Sequence, residues 1–258
     1  MKILFFGDIF GRPGRAVVKA FIESCKQDLK PDLIIANADN LASGRGPTLK
    51  TYEEMIVSGV DVLTCGDHIW DQSEALEILE DKSSKLIRAM NYPDKAPGRG
   101  FISVKVKGTD VLICSLLGRV FTAEGLNSPF NAYDEIIRPR KEKVKIIDFH
   151  AEATSEKYAF SHYVSEDASV VIGTHTHVQT ADEQIVNKCA YITDVGSTGP
   201  TDSVIGVKKE LSIKRFLTGM PLKFEVSETK AQVNAVVIDV DPKTGQAISI
   251  ERINKVLD

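Results

Sequence analysis

Residues 2–40, KILFFGDIFGRPGRAVVKAFIESCKQDLKPDLIIANADN, set the fold class. Lys2–Phe6 is a short β-branched and aromatic run that stops at Gly7-Asp8. From Arg15 to Leu29 the apolar residues Val17, Val18, Phe21, Ile22, Cys25 and Leu29 recur at i, i+3/i+4 and i+7, the spacing of an amphipathic helix. Asp32–Ala36 is again a strand. The alternation continues outward through a helix at Thr48–Ser58 and a strand at Val60–Cys65. Asp71-Gln72-Ser73-Glu74 then has the form of a capping box opening a helix through Leu79.

Beyond residue 100 the pattern changes. Phe101–Val106 and Val111–Leu116, separated by Lys107-Gly108-Thr109-Asp110, read as a hairpin. Lys143–Phe149 is a strand, followed by a helix capped at Thr154 or Ser155 and the apolar run Ala168–Ile172. Val233–Val240 and Ile248–Ile253 flank Pro242-Lys243-Thr244-Gly245 as a second hairpin. A βαβα beginning that gives way to hairpins predicts an α/β core whose sheets carry antiparallel strands at one edge. No repeat or linker demands a boundary, so residues 1–258 are expected to form a single domain. Thr198–Thr229, rich in Gly, Pro, Ser and Thr around a short helix near 208–217, is the expected lid or subunit-contact segment.

Composition narrows the function. With 43% hydrophobic and 26% charged residues and a net charge of −4, the chain is not of the disordered class. That balance gives no global electrostatic reason to expect duplex nucleic acid or a membrane as partner. No apolar run spans a bilayer, and the N-terminal run ends too soon for a signal peptide. Cys25, Cys65, Cys114 and Cys189 form no CxxC pair and read as reduced, mostly buried thiols of a cytoplasmic protein.

The polar residues fall in one pattern: strand after strand ends in metal-ligand types. The endings are Gly7-Asp8, Asp39-Asn40, Gly66-Asp67-His68, Asp148-Phe149-His150 and Gly173-Thr174-His175-Thr176-His177. One such ending is an ordinary turn or cap. Five in an α/β chain converge, because ligands bind outside the carboxyl ends of the strands. Mixed imidazole and carboxylate donors without thiolate suit Fe, Mn or Zn. His175 and His177, two apart, face the same side if the segment is extended. Two ions about 3.5–4 Å apart generate hydroxide and clamp the oxygens of an in-line phosphoryl displacement, so phosphoester hydrolysis is the natural reaction. Downstream of Asn40, the Gly-rich Ser43-Gly44-Arg45 segment leads to a helix N-terminus, where backbone N–H groups and the arginine fork would suit a phosphate.

Seven segments carry a family resemblance: FFGDIFGRPGR (5–15), ANADN (36–40), GDHIWD (66–71), DFHAEATSEK (148–157), GTHTHVQTADEQI (173–185), AYITDVGSTGPTDSVIG (190–206) and RFLTGMPLKFEV (215–226). In this order they resemble the calcineurin-like metallophosphoesterases, and within them the YmdB-like branch of bacterial 2′,3′-cyclic-nucleotide 2′-phosphodiesterases. The resemblance implies two packed mixed β-sheets flanked by helices, an αββα sandwich. It implies two divalent ions per chain, iron or manganese first, with zinc or magnesium also compatible. Asp8, Asn40 and His177 match ligands of the first metal, and Asp39 the bridge. Asp67, His150 and His175 match the second metal, and His68 the proton donor to the leaving group; His162 matches nothing and reads as a surface or packing residue. The chain departs from the family at two of these positions, having Asp39 where the family has Glu and Asp67 where it has Asn. The expected activity is therefore a phosphodiesterase acting on small phosphoesters, 2′,3′-cyclic nucleotides foremost, through attack of metal-bound hydroxide. The alternatives are a metal-binding regulatory protein with weak turnover, favoured by the extra charge of Asp67, and a phosphomonoesterase. The chain is expected to work as a homo-oligomer.

Overall fold

The computed structural model describes residues 1–25, 28–122 and 125–257. Among these, the strands form two sheets. The first, in spatial order, runs β2 (Asp8–Ile9), β12 (Ser197–Pro200), β13 (Ala231–Val240), β1 (Lys2–Phe6), β3 (Leu33–Asn37), β4 (Val62–Thr64) and β5 (Leu86–Ile87), with β14 (Ala247–Val256) paired to β13. The second runs β10 (Gln184–Val186), β11 (Cys189–Ile192), β9 (Val170–Thr174), β8 (Val144–His150), β7 (Thr109–Leu117) and β6 (Phe101–Val106). β1, β3, β4 and β5 are parallel, as are β7, β8, β9 and β11; β13 and β6 add the antiparallel neighbours. Both sheets are thus mixed, as the hairpins foretold.

Each layer has its own reason to pack. Ile3, Phe5, Ile35 and Val62 of the first sheet meet Ile113, Ile146 and Ile172 of the second, all buried between the sheets. The opposite face of the first sheet is covered by α1 (Gly11–Cys25), α2 (Leu49–Ser58) and α3 (Glu74–Glu80), through Val18, Ile22, Met55 and Ile78. On the far side, α4 (Pro129–Ala132), the helical turn Tyr133–Ile137 that follows it, and α5 (Thr154–Val164) cover the second sheet with Ala132, Tyr133, Phe160 and Val164. The result is an αββα sandwich, the architecture that the resemblance implies.

Several local expectations shift. α1 begins at Gly11, because Pro13 sits in the first turn, where its missing N–H costs no hydrogen bond. Its expected run to Leu29 is described only to Cys25; residues 26–27 lie outside the described residues, and 28–29 form a turn. No capping box forms at Asp71. Ser73 occupies the N-cap of α3 without a side-chain bond, while Glu74 accepts the Leu49 N–H at 2.9 Å and so caps α2. α5 starts at Thr154 behind Ala153, with no hydroxyl cap. The first hairpin turns on Lys107-Gly108 alone, both at positive φ (47° and 85°), the backbone of a two-residue type I′ turn. Within 198–229, α6 (Lys209–Thr218) forms as expected and ends at Gly219 in the left-handed region. All four cysteines are buried free thiols. Among the described residues no helix is long and apolar enough to cross a membrane.

Candidate metal centre and the cleft above it

Parallel strands of both sheets point their carboxyl ends at one edge, and the strand-end residues meet there. Asp8 follows β1, Asp39 and Asn40 follow β3, and Asp67 and His68 follow β4. His150 ends β8 and His175 follows β9. Three donor groups have ligand atoms mutually within 4.8 Å: Asp67, His150 and His175; Asp8, Asp39 and His150; and Asp39, Asp67 and His68. His177 completes the cluster, its Nε2 3.1 Å from Asn40 Oδ1 and 3.8 Å from Asp8 Oδ1. Every expected ligand therefore lies in one place. His162 does not; it is exposed on α5.

His150 is the hub. Its Nε2 lies 3.0 Å from His175 Nδ1, 3.2 Å from Asp67 Oδ1 and 3.5 Å from Asp39 Oδ2. Its Nδ1 is 2.9 Å from Thr174 Oγ1, and that hydroxyl donates to Asp148 Oδ1 at 2.7 Å. A hydroxyl that donates to a carboxylate receives from the ring, so Nδ1 carries a proton whatever the charge of the ring; Nε2 donates to Asp67 while the ring is charged and is the atom that offers a lone pair once it is neutral. Asn37 and Thr64 hold Asp148 from below. Burial alone would lower the His150 pKa, but Asp39, Asp67 and Asp8 raise it to about 10. Three carboxylates around one buried point create a potential that calls for positive charge.

Asp39 is held by one oxygen. Its Oδ1 accepts the N–H groups of Gly66 (2.8 Å) and His68 (3.0 Å), leaving Oδ2 toward His150. Asp8 is fully buried, its Oδ1 has no hydrogen-bond partner, and burial pushes its pKa up to about 6. An orphaned buried carboxylate oxygen is rare and needs an explanation; a cation bound here supplies one. Burial and the neighbouring His150 charge press the His175 pKa down to about 4, which keeps that ring neutral, the ligating form. For Asp67, burial opposes ionisation, but the His150 hydrogen bond and the charges of the surrounding imidazoles hold its pKa well below the usual carboxylate range. The donor set fits divalent ions.

The histidine pair departs from the extended geometry. β9 stops at Thr174, and His175 and His177 both adopt positive φ (97° and 66°). Rather than lying side by side, they reach opposite ends of the centre. Such backbone costs energy and persists only when its surroundings fix it. Here a buried ion pair does so: Lys157 Nζ lies 2.8 Å from Asp194 Oδ2, with both side chains fully buried. Lys157 also donates to the Thr174 carbonyl, and Asp194 accepts the N–H and hydroxyl of Thr176. The sequence reading missed Lys157, Asp194 and Thr174 as supports. It also missed Glu152, whose Oε2 is 3.2 Å from His175 Nε2.

His68 Nδ1 bonds Asp71 Oδ2 at 2.9 Å, and Arg45 reaches the same oxygen at 3.2 Å. Most N–H groups of the expected phosphate cradle after Asn40 are already taken. Those of Ala42, Gly44, Arg45 and Gly46 donate to the carbonyls of Gly46, Asn40, Ala42 and Asp39. The N-terminus of α2 is likewise taken by Glu74. Ser43, Gly44 and Arg45 instead form one wall of a cleft of about 780 Å³ that opens over Asp39, Asn40, His68, His175 and His177. The facing wall comes from residues 205–226 of the expected lid. That wall is tied to the centre, since the Ile205 carbonyl accepts the Nδ1 proton of His177 at 3.1 Å.

Comparison with known proteins agrees with this architecture. The chain is 46% identical over 256 residues to the 2′,3′-cyclic-nucleotide 2′-phosphodiesterase of Bacillus subtilis, covering 98% of this chain and 96% of that one. A hypothetical protein from Thermus thermophilus superposes with a TM-score of 0.94 at 36% identity, over 99% of both chains. A novel phosphatase from Mycoplasma pneumoniae does so with the same TM-score at 37% identity, over 99% of this chain and 93% of that one. The strand-end centre and the segments around it fall inside residues 4–253, which match the YmdB-like protein family; the chain belongs to that family.

Proposed function

We propose that the chain is a dinuclear metal-dependent phosphodiesterase of small phosphoesters, with 2′,3′-cyclic nucleotides as substrates. The convergence of three carboxylates on His150, one of them through the orphaned Asp8 oxygen, carries this reading. In it, Asp8, Asn40 and His177 would hold one ion, Asp67, His150 and His175 would hold the other, and Asp39 would serve both. Iron or manganese suits the mixed nitrogen and oxygen donors. When bound, such ions activate water as the nucleophile and neutralise charge on the phosphoryl oxygens.

The chain's own groups do the rest. Asp71 fixes the His68 ring through Nδ1, which leaves Nε2 to carry the proton given to the departing alkoxide. Arg45, on the cleft wall, meets the anionic substrate with its guanidinium. Residues 198–229 act as a cap within a single 1–258 domain. The exposed apolar side chains of α6, Ile213, Phe216 and Leu217, suit a second copy of the chain. The buried free thiols fit the reducing cytoplasm.

The test is hydrolysis of adenosine 2′,3′-cyclic phosphate by protein reconstituted with manganese. Metal analysis should approach two ions per chain, and the product should be the 3′-monophosphate. Asp67 favours a second reading, a metal-binding regulatory protein with weak turnover, because it adds negative charge beside an anionic substrate. Two bound ions with no hydrolysis of the cyclic nucleotide would select it, and hydrolysis of the monoester alone would select a phosphomonoesterase.

A further inference from the structure

The cleft joins two chemically unlike sets of residues. One is the metal donors and His68. The other is the wall from residues 205–226, which presents Ile205, Leu222, Phe224 and Val226 with Arg215 and Lys223. Ile205 is 52% exposed and Phe224 38% exposed, so this wall keeps apolar surface in water beside the carboxylates and imidazoles of the centre. A phosphate alone has no use for it. The volume, about 780 Å³, falls in the range of clefts that enclose whole small-molecule ligands.

The placement of the wall is built. Val207 and Val226 pair as an isolated antiparallel bridge. The Lys208 N–H donates to the Glu225 carbonyl at 2.9 Å, and the Ser227 N–H to the Gly206 carbonyl at 3.0 Å. Phe224 therefore projects one residue beyond a fixed pair of backbone arms. Arg215 comes across from α6 to place its guanidinium 4.9 Å from the Phe224 ring centroid. A planar cation and a phenyl face lining one cleft present the surfaces on which nucleobases stack.

Resting on the phosphodiesterase reading above, we propose that Phe224 and Arg215 form the nucleobase subsite. The base of the substrate stacks there while its phosphate lies over His175 and His177. Stacking needs a π face and little hydrogen-bond readout, so the subsite accepts all four bases and favours the larger purines. It is a specificity element acting on the part of the substrate that does not react, and it binds the base before and after the ester is broken.

The experiment compares adenosine 2′,3′-cyclic phosphate with the base-free methyl riboside 2′,3′-cyclic phosphate, using metal-loaded wild type, Phe224→Ala and Arg215→Lys. Loss of one stacking partner should lower kcat/KM for the nucleotide by roughly tenfold to a hundredfold. The base-free substrate and the metal content should change by less than about twofold, the ordinary scatter of a neutral surface change. Arg215→Lys should fall below wild type on the nucleotide alone, because a point charge keeps the sign but not the plane. Equal losses on both substrates, or no loss on either, overturn the subsite. If wild type hydrolyses neither compound, the phosphodiesterase reading fails, and the subsite is decided separately by calorimetry. In that case Phe224→Ala must weaken adenosine 3′-monophosphate binding about tenfold for the subsite to stand.

Discussion

His150 gives its Nδ1 proton to Thr174 Oγ1 across 2.9 Å, and Thr174 passes the polarity on to the buried Asp148. The hydroxyl thereby chooses the tautomer of the ring on which the three carboxylates converge. Thr174→Val keeps the shape and removes the relay. It is expected to weaken manganese binding by roughly 10- to 100-fold, the usual effect of losing an orienting partner. Calorimetric titration of metal-free protein checks this, with near-UV circular dichroism to show that the core is kept. Unchanged affinity would mean that Asn37 and Asp148 suffice to orient the ring.

His68 differs from the ligands around it, because its Nδ1 is bound by Asp71 and its ring lines the cleft. His68→Ala should retain both ions and lose turnover by roughly 10²–10⁴. The loss should be largest for esters with poor leaving groups and small for activated nitrophenyl esters. Equal losses across leaving groups would remove the proton-donor assignment.

Asp67 places a third carboxylate beside the reacting centre, with its side chain 32% exposed. A unit charge about 4 Å from a phosphate is worth up to ~4 kcal/mol at an effective dielectric near 20. Solvent screening and the tighter hold of a carboxylate on metal offset much of that. Asp67→Asn is expected to raise kcat/KM roughly tenfold, ~1.4 kcal/mol, once manganese is saturating, while requiring more manganese to reach saturation. A slower variant at saturation would make the carboxylate a working part of the site.

Asp8 gives a pH dependence whose sign can be worked out. Its folded pKa of about 6 lies above the ordinary 3.8, so the native metal-free chain keeps a proton that the unfolded chain releases. The Asp8 contribution to the stability of the metal-free protein should therefore fall as pH rises from about 4 to 6, by up to ~3 kcal/mol, against the opposite contribution of His175, whose folded pKa of about 4 lies below the ordinary 6.5. Asp8→Asn should raise the Tm of metal-free protein at pH 7, leave stability rising through that window as His175 dictates, and weaken metal binding. Urea unfolding at several pH values in the presence of a chelator is the measurement. A metal-free variant no more stable than wild type at pH 7 would refute the argument.

Much of this molecule is legible in its sequence, for physical reasons that also mark where legibility stops. Strands such as Leu33–Asn37 and Val170–Thr174 are buried on both faces and so read as unbroken apolar runs. Their carboxyl ends were readable because Asp, Asn and His gather where chemistry is done. The left-handed backbone at His175 and His177 was not readable, because no glycine marks it and the alternation rule assumes an extended segment. Glu74 satisfied the local pattern of a capping box yet served another helix, since its carboxylate could reach α2 across space. Lys157 did leave a signal. It shares the buried stripe of α5 with Phe160, Ser161 and Val164, and a lysine on such a stripe calls for a buried partner. Its partner Asp194 lies 37 residues away, a pairing that only the fold reveals.

That buried pair has a consequence for how the centre loads. Lys157 and Asp194 fix Thr174 and Thr176, and so the strained residue between them, through bonds that involve no ion. The loop is thus shaped when the polypeptide folds, unlike a zinc finger, whose folding waits for its metal. Chelation should strip the centre and leave the socket standing. Arriving ions then spend nothing on ordering the chain, and competing ions are sorted by how well each suits fixed donor positions. The folding energy of a lysine and an aspartate, set beneath the floor of the cleft, becomes a rule of admission at its surface.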